Sequence, residues 1–170
     1  MLHIYVGPMY SGKTSKLIDM FISNPDSNKV IIDFDLNKDT KCYEGILKNH
    51  NNVQLKCMKM STLYNYTYNT NHIYINEAQF FPDLVDFVLK ILKCNGHIYL
   101  YGLDGDFQQK KIGFILDLIP YCDSICKLNA LCNKCNNYAI FSKRITDSKE
   151  QYEPDENDYI PLCRKCFYIV

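Results

Sequence analysis

Several things are missing from this 170-residue sequence, and each absence excludes something. There is no net charge, because 19 Lys and Arg balance 19 Asp and Glu. No overall field therefore draws the chain to nucleic acid or to an anionic membrane. There is no run of 18 apolar residues of the kind a membrane-spanning helix needs. The opening MLHIYVGPMY lacks the charged, apolar and small-residue zones of a secretory signal. These absences predict a soluble, cytoplasmic chain with neither a membrane nor a nucleic-acid partner. Arginine is scarce, 2 residues against 17 Lys, alongside many Asn, Ile and Tyr. That bias reads as AT-rich coding rather than function.

Cysteine, by contrast, is plentiful. Nine cysteines would suggest disulfides in a small secreted domain, but four of them form two C-x-x-C pairs in a chain with no secretory signal. Metal is the better reading. The length suits one medium domain with a small appendage, large enough to bury its own core.

Apolar runs at 3–6, 29–35, 53–58, 72–76 and 96–103 read as buried strands. Between them, Lys13 to Ser23 and Phe80 to Lys93 carry helical spacing, and Ser61 is placed to cap a short helix. Residues 36–52 show no period and read as a long loop, with room for a short helix. Alternating strands and helices predict an α/β fold with a mainly parallel sheet. After Asn129 the texture changes to short strand-like pieces around the cysteines, with the acidic TDSKEQYEPDENDY as a surface loop between them. We therefore divide the chain into residues 1–128 and 129–170.

Gly7-Pro8-Met9-Tyr10-Ser11-Gly12-Lys13-Thr14 matches G-x-x-x-x-G-K-[ST] between a strand and a helix. A phosphate chain must lie against backbone N–H groups, and the glycines admit that approach. The helix N-terminus faces the anion, Lys13 reaches the outer phosphates, and the Thr14 hydroxyl can ligate Mg²⁺. The motif predicts a nucleoside triphosphate site; the alternative is a chance glycine loop. The strand at 72–76 ends in Asn76, where such folds usually carry an Asp that holds Mg²⁺ through water. The amide can accept from a metal-bound water but brings no charge, so Asn76→Asp is expected to raise activity or Mg²⁺ affinity. Glu77, one residue on, is the candidate general base; otherwise it is a solvated loop carboxylate.

Cys132-x-x-Cys135 and Cys163-x-x-Cys166, 27 residues apart, make a four-thiolate set for a closed, structural Zn²⁺. Redox chemistry or two disulfides is the alternative. The other five cysteines read as core or loop thiols.

GPMYSGKT, EAQFFPDLVDFV, YGLDGDFQQKKIGFILDLIPYCDSICKL, NALCNKC, FSKR and YIPLCRKC occur in this order. Together they resemble the type II thymidine kinases, the cellular and poxvirus-like group, from His3 to Phe167. The resemblance implies a P-loop (RecA-like) domain with a small zinc-bound lasso domain, commonly assembled as a homotetramer. It implies transfer of the γ-phosphoryl group of ATP to the 5′-hydroxyl of thymidine or a related deoxynucleoside, with Mg²⁺. By match, Glu77 is the catalytic carboxylate. Met9, Leu103, Phe107, Ile112 and Tyr159 line the nucleoside pocket, and Asp39 and Lys41 stand near the phosphates. Lys41 keeps the charge of the family's Arg but loses its fork. This sequence departs from the family in three places. Asn76 replaces an Asp, Ile112 replaces an aromatic, and the lasso segment QYEPDEND has no glycine. Two further readings stay open, a nucleotide-binding protein weakened in transfer and an ATPase in which Glu77 activates water.

Overall fold

Strand β1 (Leu2–Val6) sets a pattern that the rest of the sheet repeats. Leu2, Ile4 and Val6 are fully buried on one face, while His3 and Tyr5 alternate to the other. The protein is described here as a computed structural model covering residues 1–36, 42–64, 66–67 and 69–169. After β1 come α1 (Lys13–Ser23), β2 (Lys29–Phe34), β3 (Tyr43–Lys48), β4 (Gln54–Met60), β5 (His72–Asn76), α2 (Leu84–Lys93), β6 (His97–Gly102) and β7 (Ser124–Lys127). These strands form one seven-stranded sheet in the order β3-β4-β2-β5-β6-β1-β7. Only the edge strand β3 runs antiparallel; the other pairings are parallel. The C-terminal ends of β1, β2, β5 and β6 therefore share one edge, where open α/β sheets bind ligands.

Each face has its own core. On one, Val88 and Ile91 of α2 pack with Ile4, Ile75 and Leu100. On the other, Leu17 and Ile18 of α1 cover Ile31, Tyr74 and Tyr101. That second face carries stacked tyrosines, Tyr5 on Tyr101 at 4.8 Å and Tyr74 on Tyr99 at 4.4 Å. Each large apolar side chain so buried is worth roughly 1.5–3 kcal/mol. Helix α2 has Asp86 in its first turn and Lys90 and Lys93 in its last, matching the helix dipole. It closes with Asn95 at positive φ, the Asn95 N–H on Leu92 and the Gly96 N–H on Ile91.

The second unit is built from β8 (Ala130–Leu131), β9 (Tyr138–Ala139), β10 (Phe141–Arg144), β11 (Tyr159–Leu162) and α3 (Arg164–Tyr168). Its buried core is Ala130, Cys132, Ala139, Leu162 and Cys163.

Three expectations change, and one strand was not foreseen. Residues 43–48 form strand β3 instead of loop: Leu47 is buried, but Ile46 faces solvent, so the apolar pattern is weak and pairing with β4 makes the strand. Residues 61–64 form a turn instead of a helix, because Thr62 Oγ1 and the Tyr64 N–H bind Asp83 Oδ2 at 2.6 and 2.8 Å. The helix expected from Phe80 splits into a 3₁₀ turn (Ala78–Phe80) and α2. Phe81, just before Pro82, is extended, as a residue preceding proline prefers. Strand β7, exposed along its length, carries no apolar signal and exists by pairing with β1.

Candidate functional site

The bend between β1 and α1 sits on the shared sheet edge. Gly7 lies so close to the chain leaving β7 that a Cβ there would come within 2.5 Å of the Leu128 carbonyl. Tyr10 and Gly12 both take left-handed backbone, φ 62 and 76, a conformation found in the backbone nests that bind anions. Helix α1 starts at Lys13 with no acidic residue in its first turn, so its N-terminal dipole is free to meet an anion. Lys13 is buried and its Nζ donates to the Pro8 carbonyl at 2.8 Å. Burial pulls its ammonium below the usual lysine range, opposed by Glu77, Asp104 and Glu156.

Glu77 follows β5 in left-handed backbone, φ 50, a conformation that costs a non-glycine residue about 1–3 kcal/mol and marks functional positions. Its Oε2 accepts from Gln79 Nε2 at 2.7 Å, and Gln79 Oε1 accepts from the Leu103 N–H at 3.0 Å. The carboxylate is thereby tied to the end of β6. Burial pushes its carboxyl above the ordinary range, against the pull of Lys13. Glu77, Lys13, Thr14, Leu103 and Tyr152 line one cavity of ≈ 60 Å³. Asn76 is buried beside Asp33, to which its Nδ2 donates at 2.8 Å.

A second group adjoins the cavity. Met9, Leu103, Ile112 and Tyr159 are buried together, with Phe80, Phe107 and Tyr152 packed on them. The residues that the resemblance assigns to a nucleoside pocket are thus brought together. Tyr152, from the acidic loop expected at the surface, packs its ring 4.4 Å from that of Phe80 instead. Arg144 fastens this loop. Its guanidinium lies 4.0 Å from the Phe107 ring and donates to the Tyr159 hydroxyl and to the Ser148 and Glu150 carbonyls. The Tyr159 hydroxyl in turn accepts from the Glu153 N–H at 2.8 Å. The two units also meet directly: the Met9 N–H donates to Ser142 Oγ at 2.9 Å, and the Tyr10 hydroxyl to the Glu156 carbonyl at 2.7 Å.

Cys132, Cys135, Cys163 and Cys166 converge, their Sγ atoms all within 4.8 Å of one another. Cys135 and Cys163 Sγ are 3.6 Å apart, close to the edge of a tetrahedron with metal–sulfur bonds of about 2.3 Å. Burial opposes ionisation of Cys132, yet backbone N–H groups around it bring its thiol down to about 6, which favours a thiolate ligand. All nine cysteines are free thiols.

Asp39 and Lys41 lie outside the described residues. Sequence reasoning missed Gln79, Arg144 and Tyr152. Gln79 and Arg144 stand inside quoted motifs, but nothing in their spacing marks a role. Tyr152 was hidden in a polar stretch.

A model of the thymidine kinase family matches residues 1–167. The chain belongs to the thymidine kinase family. Thymidine kinase a of Arabidopsis thaliana is 32% identical over 96% of this chain and 73% of its own length. Thymidine kinase of Sheeppox virus is 33% identical over 99% of this chain and 97% of its own. Thymidine kinase 1 of Dictyostelium discoideum is 32% identical over 98% and 77%. Membership of the thymidine kinase family makes the chain a nucleotide-binding transferase, and the four-cysteine cluster suits zinc. Among the described residues, no helix is long and apolar enough to cross a membrane.

Proposed function

We propose that the chain transfers the γ-phosphoryl group of ATP to the 5′-hydroxyl of thymidine or a close deoxypyrimidine nucleoside, in the cytoplasm and as a homotetramer. The observation that carries this reading is one cavity shared by Glu77, Lys13 and Thr14, beside the Met9–Leu103–Tyr159 cluster. We read residues 1–128 as a P-loop, RecA-like domain and 129–170 as a zinc-bound lasso. Gly7 to Thr14 cradle the phosphates with backbone N–H groups. Met9, Leu103, Phe107, Ile112 and Tyr159 hold the nucleoside. Glu77, oriented by Gln79, takes the proton of the 5′-hydroxyl as its oxygen attacks the γ-phosphorus. The bond to the β-phosphate oxygen breaks, and ADP leaves. Lys13 balances the charge spread over the transferred group. Thr14 and Asn76 would hold the Mg²⁺ that arrives with ATP, which would supply charge neutralisation there. Zn²⁺ on the four cysteines is structural.

A transfer assay with labelled ATP over thymidine, deoxyuridine and deoxycytidine tests the reading. Labelled nucleoside monophosphate is the expected product. ATP binding with no product supports a weakened nucleotide-binding protein, a reading favoured by the uncharged Asn76 and by Tyr152 filling the cluster. Phosphate release without nucleoside supports an ATPase.

A further inference from the structure

Asn76 raises a problem that its neighbours resolve. An amide has two unlike ends, and only the oxygen end suits a cation or a metal-bound water. Nothing in Asn76 itself selects that end. Its register partner on β2, Asp33, does. Both side chains are buried, 5% exposed each. Asn76 Nδ2 donates to Asp33 Oδ1 at 2.8 Å, so the amide nitrogen is turned to β2 and the oxygen away from it. Asp33 Oδ2 is in turn paired with Lys59 Nζ, from the facing position of β4. A row of Lys59, Asp33 and Asn76 thus crosses three neighbouring strands and ends beside Glu77.

A buried carboxylate is costly unless paired, so its presence behind a buried amide asks for a reason. One reason is local: Asp33 and Lys59 hold β2 to β4. The row does not stop there, however. Asp33 spends its second oxygen on Asn76, and its charge raises the Glu77 carboxyl, which places it within electrostatic reach of the cavity.

We infer that Asp33 is the positioning residue of the metal–nucleotide site: it locks Asn76 with its oxygen toward the cation and supplies, one hydrogen bond behind it, the negative charge that the amide lacks. The inference rests on the kinase reading above. It reverses the gain expected at position 76. Asn76→Asp alone sets two buried carboxylates against each other, which weakens the fold instead of restoring the site.

The test is calorimetric binding of ATP with and without Mg²⁺, with no nucleoside present, so that transfer plays no part in the readout. Asp33→Asn is expected to lower the affinity for ATP–Mg²⁺ by about tenfold, the effect of one displaced charge, and to leave metal-free ATP binding within about twofold. The exchanged pair, Asp33→Asn with Asn76→Asp, keeps one carboxylate, one amide and the bond between them. It is expected to recover the parent's Mg²⁺ dependence to within about threefold. Lys59→Met removes the counter-ion of Asp33 and keeps the Asp33–Asn76 bond, so it is expected to leave the affinity for ATP–Mg²⁺ at or above the parent's. The inference is overturned if Asp33→Asn binds ATP–Mg²⁺ like the parent. It is overturned equally if the exchanged pair stays weak, or if Lys59→Met reproduces the Asp33→Asn loss. Should Asp33→Asn fail to fold, the exchanged pair and Lys59→Met decide by the same criteria. A parent protein that binds no ATP–Mg²⁺ sinks the kinase reading and the inference together.

Discussion

At the scale of single residues, Glu77 carries two costs at once. Its backbone is left-handed, and its carboxyl is buried enough to resist ionisation. A carboxylate placed that way is tuned as a base, because a raised pKa brings it nearer the working pH. Glu77→Gln is expected to lower turnover by ~10²-fold or more while leaving ATP affinity near normal; unchanged turnover would remove Glu77 from the mechanism. The same substitution has a stability signature. A carboxyl raised in the fold contributes stability that is complete below its unfolded pKa of about 4.3 and is lost as pH rises through the folded value. Glu77→Gln should therefore melt higher than the parent at neutral pH, and the gap should close in acid. A melting curve lower at pH 7 would contradict the assignment. Gln79 works one bond further out. Gln79→Leu frees the carboxylate and strands the Leu103 N–H. It is expected to lower kcat by roughly tenfold with a small change in KM, as loss of orientation does. A KM effect alone would make Gln79 a wall of the pocket instead.

At the scale of elements, the acidic segment between the cysteine pairs shows how poorly composition reports position. Asp147, Glu150 and Asp155 are exposed, yet Glu156 lines the cavity and Tyr152 turns in against Phe80 and fills the space beside Leu103 and Tyr159. The adjoining cavity of ≈ 60 Å³ is far below the roughly 300 Å³ that small-molecule sites occupy. Tyr152 occupies space that a nucleoside beside Leu103 and Tyr159 would need, and releasing a buried aromatic ring costs about 1.5–3 kcal/mol. Tyr152→Ala removes that cost. It is expected to lower the nucleoside KM by about tenfold and to widen tolerance at the base, with kcat little changed. A raised KM would show that Tyr152 packs on the bound base. Elements with long apolar periods were legible in advance: α1 and β5 begin and end where their patterns do. Strands β3 and β7 were not, because each sits at an edge and takes its form from one partner.

At the scale of the whole molecule, the two units depend on each other unequally. The α/β part buries a core on both sheet faces. The cysteine unit buries only Ala130, Cys132, Ala139, Leu162 and Cys163, too little to fold without a staple. The four-cysteine cluster suits zinc as that staple, and the Arg144–Tyr159 hydrogen bond ties the acidic segment to the same unit. Stripping the metal with a strong chelator is expected to release one Zn²⁺ per chain and to abolish nucleoside binding. Most of the secondary structure should persist, as circular dichroism and metal analysis would show. Full nucleoside binding in zinc-free protein would separate the cluster from the site.

The linear order of residues by itself determined what depends on neighbours along the chain. That covers the glycine bend with Lys13 and Thr14, the paired cysteines, the central strands and the carboxylate at 77. Backbone conformation and ligand spacing are local properties, so short motifs carry them. Only the tertiary structure decided which distant groups meet: Gln79 on Glu77, Arg144 on Phe107, Tyr152 in the cluster and Asp33 behind Asn76. Those contacts arise from strand register and loop packing. No local periodicity encodes them, because each is selected by the burial and hydrogen bonding of its partner.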